Sequence, residues 1–139
     1  FLIAVATFVA AAISSFVFIY IRCKKLGIPV LGRSATRVLI NIIIPLFVGS
    51  LFVFRLATSG VFELLAPACL IFYGLALVNA SKYTLDEIRY LGFTQLFIGI
   101  IKLWILGYGL IFWGIGFGFV HIILGIISWW KYEKNGTNE

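Results

Sequence analysis

The residues of this chain that could carry out chemistry are few, and they lie at mismatched depths. There are five carboxylates, Glu63, Asp86, Glu87, Glu133 and Glu139, and a single histidine, His121. His121 sits inside a long apolar run, and none of the acids does. Acid–base catalysis needs both groups within reach of one reacting atom, and no acid shares a run with the histidine. A serine–histidine intramembrane protease would pair His121 with Ser50 or Ser128, but Ser128, on the matching helical face, is two turns away. Asp86 and Glu87 could form a ligand pair. Their place in the first turn of a helix, where the backbone dipole favours acids, explains them without a ligand. Cys23 and Cys69 fall at different depths, which disfavours a disulfide, and two isolated thiols are no metal site. The expectation is no enzyme, no cofactor and no metal.

The histidine reads better as part of a packing surface. On a regular helical wheel Gly107, Gly114, Gly118, His121, Gly125 and Ser128 form one narrow stripe, with Phe112, Phe119, Ile123 and Trp130 opposite. In lipid, a row of small residues lets another backbone approach closely. The helix-packing set is therefore Gly114, Gly118, His121, Gly125 and Ser128, and an ionisable group inside it should face protein rather than lipid. Asn41, Tyr73 and Asn79 are the candidate companions of His121 in a polar intramembrane cluster. Such a cluster could serve a small transporter or a proton or ion pathway. A lone histidine in a glycine row more often hydrogen-bonds across helices, and the halves of the chain show no convincing repeat of the kind transporters carry.

These residues need elements to hold them, and composition says which. The 139 residues are 63% hydrophobic and 12% charged, about half the charge of a soluble domain. With several long uncharged runs, that deficit places the chain in a bilayer. The net charge of +6 would suggest nucleic acid in a soluble protein. Here the bases cluster at helix ends, where they set orientation, so no nucleic-acid partner is expected. There is no methionine, position 1 included, which implies a fragment, a processed form or the ordered part of a longer chain. Residues 1–21 lack the basic start and the cleavage site of a signal peptide, and their uncharged run is too long for one.

The predicted fold is an all-α polytopic transmembrane helical bundle in one domain, residues 1–132, followed by a polar cytoplasmic tail, 133–139. Five spans are expected, at about 1–21, 36–56, 62–80, 86–106 and 109–130. The first is rich in alanine and serine. A basic loop follows, with Arg22, Lys24, Lys25, Arg33 and Arg37 and no acid, broken by Gly27, Pro29 and Gly32. It marks the cytoplasmic side. The second span holds Asn41 and Pro45, and the proline frees the Asn41 carbonyl; a packed bend with Asn41 bonded to a neighbouring helix is expected. Arg55 and Glu63 flank the turn Thr58-Ser59-Gly60, close enough to pair. Pro67 stands in the first turns of span three. Thr84 is the expected N-cap of span four, Arg89 can pair with Asp86, and Tyr83 and Tyr90 sit at headgroup level. The run from Tyr90 to Trp130 carries one charge, Lys102; it is long enough for two spans, broken at Leu106-Gly107-Tyr108-Gly109, with Lys102 snorkelling to the outer interface. Trp129, Trp130, Lys131 and Tyr132 anchor the inner end. Asn135-Gly136-Thr137 matches a glycosylation triplet, but on a cytoplasmic tail. This topology leaves only Arg55 and Lys102 among the bases on the outer side.

Three stretches, ATRVLINIIIPL (35–46), APACLIFYGLALVNASKYTLDEIRYLG (66–92) and GYGLIFWGIGFGFVHIILGI (107–126), resemble a group of small uncharacterised polytopic integral membrane proteins of Bacteroidota. The similarity covers most of the chain. It implies an inner (cytoplasmic) membrane location, a charged helical segment and one further span ahead of residue 1, and so six spans with both ends inside. The group carries no established activity. From the residues, the leading expectation is a binding or regulatory/accessory subunit of a membrane assembly. Its partners would be the lipid bilayer and a membrane protein or further copies of itself; the alternative is the His121 pathway.

Overall fold

The computed structural model describes residues 24, 32–84 and 86–132. The chain divides into two compact units, Phe1–Thr36 and Arg37–Glu139. In the first, Lys24 is helical and exposed; the expected first span, Arg22, Cys23, Lys25 and the tail from residue 133 lie outside the described residues. The helix Arg33–Thr58 leads into the second unit, which contains the remaining described helices.

The described residues are helical, with no strand among them. Helix α1 is Arg33–Thr58 and α2 is Leu65–Ala80, preceded by a single 3-10 turn, Phe62–Leu64, and followed by another, Ser81–Tyr83. Helix α3 is Asp86–Trp104. Helix α4 (Gly109–Gly114) passes through a five-residue π-helical segment, Ile115–Phe119, into α5 (Val120–Tyr132) without a break. Three of these stretches, Arg33–Thr58, Phe62–Tyr83 and Gly109–Lys131, are long and apolar enough to cross a membrane. Helix α3 is interrupted by Asp86, Glu87, Arg89 and Lys102, too many charges for that description by composition.

The turns explain the helix ends. Gly60, with φ +75°, and Gly107, with φ +78°, occupy the left-handed region that glycine adopts without steric cost. Tyr108 follows at φ 53°, a less common conformation for a residue with a Cβ. The turn between α3 and α4 thus falls where the sequence places a break. Pro67 is buried in the first turn of α2, where a missing N–H removes no intrahelical bond. Pro45 lies within α1. Asn41 does not reach a neighbouring helix as expected: its Nδ2 donates to the Arg37 carbonyl of its own helix at 2.8 Å. Arg37 in turn lies over the Tyr83 ring, 5.9 Å from its centroid. Arg55 meets Thr58 Oγ1 at 3.5 Å and forms no ion pair with Glu63.

The best-packed pair is α2 with α3, and glycine makes it so. A Cβ added at Gly74 would stand 2.8 Å from the Gly92 carbonyl oxygen, and one at Gly92 would stand 2.9 Å from the Gly74 oxygen. The two backbones touch where neither has a side chain, the arrangement that allows close helix approach in lipid. One heptad on, a Cβ at Gly99 would crowd Ile71. Helix α1 meets α2 through Gly49, packed on Phe72, and through Phe52, whose ring centroid is 5.7 Å from that of Phe72.

Helix α3 is built inside out. Its buried residues include Glu87, Leu91, Gln95, Gly99 and Lys102, spaced four, four, four and three apart, which is one helical face. Its exposed residues include Tyr90, Phe93, Phe97, Ile100 and Trp104. Polar side chains inward and apolar ones outward suit a helix surrounded by lipid, where the solvent is apolar and the polar groups must find partners within the protein.

Candidate functional site

The polar face of α3 organises three sites along about 22 Å of helix, at 1.5 Å per residue. Near its start, Glu87 is buried, its side chain 10% exposed, and it is bonded to Lys131 at the end of α5. Asp86 turns away and pairs weakly with Arg89 at 4.0 Å, both exposed, so the two neighbouring acids share no ligand geometry. Arg89 Nε also donates to Ser81 Oγ at 3.3 Å. Thr84 precedes α3, and its hydroxyl is turned back toward the preceding helix. That group donates to the Ala80 carbonyl at 3.2 Å, closing the end of α2.

The middle site contains His121. The residues that build it are Tyr73 on α2, Gln95 on α3, the carbonyl of Gly116 in the π segment, and His121 at the start of α5. Gln95 is fully buried, and its Nε2 donates to the Gly116 oxygen at 2.5 Å. His121 Nδ1 lies 3.1 Å from the same oxygen, and its Nε2 lies 2.9 Å from the Tyr73 hydroxyl. A carbonyl only accepts, so Nδ1 carries a proton; in the neutral ring Nε2 then accepts from the tyrosine O–H. The Phe117 ring packs on both partners, with centroids 5.0 Å from Tyr73 and 6.1 Å from His121.

The π segment makes this geometry available. It places the Val120 N–H on the Ile115 carbonyl, five residues back, and so admits one extra residue into the turn. Gly116 permits the close approach of α3. A Cβ there would overlap Leu70 Cδ2 and come within 2.8 Å of Gln95 Oε1. Gln95 Oε1 is buried and has no hydrogen-bond partner among the described residues. Reversing the amide would bring its oxygen against the Gly116 oxygen, so the carbonyl fixes the orientation.

Of the predicted polar cluster, then, Tyr73 and His121 are in contact. Asn41 is held by its own helix, and Asn79, half-buried on α2, joins neither. Ser50 Oγ donates to Phe47 O at 2.8 Å within α1, and Ser128 lies seven residues beyond His121 on α5. The predicted glycine stripe divides. Gly107 is in the turn, outside the helix, and the π segment breaks the regular wheel that aligned the stripe. A Cβ at Gly114, Gly118 or Gly125 would meet no atom within 4 Å among the described residues. Gly116 and Gln95 are missed by a sequence reading that assumes unbroken α-helical periodicity and treats the charged ends of α3 as its informative part. The spacing Glu87, Leu91, Gln95, Gly99, Lys102 is the signal that could have found Gln95.

The third site is at the far end of α3. Lys102 is 3% exposed, not spread along the interface as a snorkelling lysine would be, and its Nζ donates to the Ile105 carbonyl at 2.6 Å. It lines a cleft with Phe62, Glu63, Gly107, Tyr108 and Gly109. Among the described residues no group of three or more histidine, cysteine or carboxylate side chains is placed to hold a metal ion. Comparison with protein-family models, with curated proteins and with solved structures gives no match to this chain.

Proposed function

We propose that this chain is a five-span integral membrane protein of the inner membrane, with its C-terminus cytoplasmic, acting as a binding or regulatory subunit of a larger membrane assembly. The observation that carries the reading is the contrast between its glycines. Gly74, Gly92, Gly99 and Gly116 are each packed against a neighbour. Gly114, Gly118 and Gly125 meet nothing among the described residues, and in lipid small residues left open in this way let another helix approach.

The test is mild extraction of the full-length protein from its native membrane, followed by mass spectrometry of what travels with it. We expect one membrane protein at constant stoichiometry, lost in Gly118→Leu while the chain itself stays folded. A wild-type chain that travels alone would overturn the proposal. So would a Gly118→Leu chain that no longer folds, because the stripe would then be covered from within.

A second reading, a small transporter or proton pathway through His121, draws on the Tyr73–His121 bond and the unsatisfied Gln95 Oε1. Against it, the imidazole is engaged at both nitrogens, and one partner is a carbonyl that cannot pass a proton on. Flux in reconstituted vesicles that disappears in a folded His121→Phe variant would reverse the order of the two readings.

A further inference from the structure

The cleft at the outer end of α3 holds two opposite charges that form no ion pair with each other. Lys102 is almost wholly buried, yet among the described residues its ammonium has only the neutral Ile105 carbonyl as partner. An ammonium has three N–H donors, and a charge this buried ordinarily has an anion beside it. Glu63 lines the same cleft, is exposed, and forms no ion pair with Lys102 or any other described residue. A simple anion drawn to Lys102 would be repelled by Glu63, and a simple cation would be repelled by Lys102. A molecule bearing both charges satisfies both walls.

We propose that this cleft binds the headgroup of a zwitterionic phospholipid, a phosphate ester carrying a primary amine. Its phosphate is held by Lys102, and its ammonium donates to Glu63. The surroundings favour a lipid as the source of that chemistry. The cleft lies between the α1–α2 turn and the α3–α4 turn, at one end of the helices. Trp104, Leu106, Tyr108 and Leu110 beside it are 85%, 75%, 69% and 83% exposed, an apolar and aromatic rim of the kind found where headgroups meet acyl chains. A free polar compound gains nothing from that rim, whereas a lipid's chains lie along it. A primary amine can donate three hydrogen bonds to a carboxylate. A trimethylated amine can donate none, so the site also selects among zwitterions. The proposal rests on the membrane-spanning reading and not on the presence of a protein partner.

The experiment uses the full-length protein, stripped of lipid in mild detergent and offered equal amounts of phosphatidylethanolamine, phosphatidylcholine and phosphatidylglycerol. Retained lipid is read by native mass spectrometry. Phosphatidylethanolamine should be retained over the other two by about tenfold, the scale of one charge-assisted hydrogen bond. Glu63→Gln, at an exposed position where folding is not at stake, should erase that preference and raise phosphatidylglycerol relative to it. Lys102→Met should lower retention of all three. Equal retention by the wild type, or an unchanged preference in Glu63→Gln, overturns the proposal. A parallel arm offers soluble phosphoethanolamine and phosphocholine. Binding of the first alone, without lipid retention, would keep the chemistry and reassign its source to a free compound.

Discussion

At the scale of single residues, Gln95 and Gly116 decide how the interior of this bundle is arranged. The amide of Gln95 reaches one carbonyl through Nε2 and leaves Oε1 buried without a partner among the described residues. A hydrogen bond of this kind is worth about 1 kcal/mol net, while an unsatisfied buried acceptor costs about 1–3 kcal/mol. Replacing both polar atoms with methyl groups should therefore cost little, and Gln95→Leu is expected to change stability in detergent by less than about 1 kcal/mol. Gly116→Ala is expected to do much more damage. Its Cβ would overlap Leu70 and press on Gln95 Oε1, and overpacking of a filled interior costs about 1–3 kcal/mol. Thermal unfolding of the two variants followed by circular dichroism checks the order. If Gln95→Leu proved the worse of the two, the amide would have a role beyond its one bond, and the His121 pathway would gain support.

At the scale of elements, the contact between α2 and α3 holds the described bundle together, and it passes through backbone. Gly74 and Gly92 oppose each other so closely that neither admits a methyl group without movement of main chain. Gly92→Val should therefore abolish the folded protein, read as loss of the monodisperse peak in size-exclusion chromatography. Gly114→Val, at a position that meets no described neighbour, should leave that peak in place. The sequence reads well wherever a single helix carries its own signal. The stretches 36–56, 62–80, 86–106 and 109–130 overlap helices Arg33–Thr58, Leu65–Ala80, Asp86–Trp104 and the stretch 109–132, and Gly107 lies in the turn between two of them. It reads poorly wherever two helices must be known together. The Gly74–Gly92 contact joins residues on separate helices, and the Glu87–Lys131 pair joins residues 44 apart. Neither has a periodicity of its own. The π segment escapes for a different reason. One inserted residue shifts the face of everything after it, so a stripe drawn with 3.6 residues per turn from Gly107 to Ser128 could not stay aligned.

At the scale of the whole molecule, composition and packing give different readings of whether α3 crosses the membrane. By composition it is the weakest candidate of the four, since Asp86, Glu87, Arg89 and Lys102 interrupt it. By packing it is a strong one. Glu87 is buried and paired with Lys131, Lys102 is buried with its ammonium on the Ile105 carbonyl, and the side α3 exposes is aromatic and aliphatic. A soluble helix has no reason to turn that side outward, because exposed apolar area costs about 25 cal/mol per Å² in water. In a bilayer the same surface carries no such cost, and the buried charges are turned away from the acyl chains. The distribution of bases points the same way: with α3 crossing, only Arg55 and Lys102 of the eleven bases fall on the outer side. Reporter fusions after residues 60, 84, 107 and 139 settle the matter, using a phosphatase active only outside and a fluorescent protein active only inside. Residues 60 and 107 should report outside, and 84 and 139 inside. If 84 and 107 reported the same side, α3 would lie along the membrane surface. The cleft at Lys102 would then no longer sit across the bilayer from the Glu87–Lys131 pair, and the inward-facing charges of α3 would need another explanation.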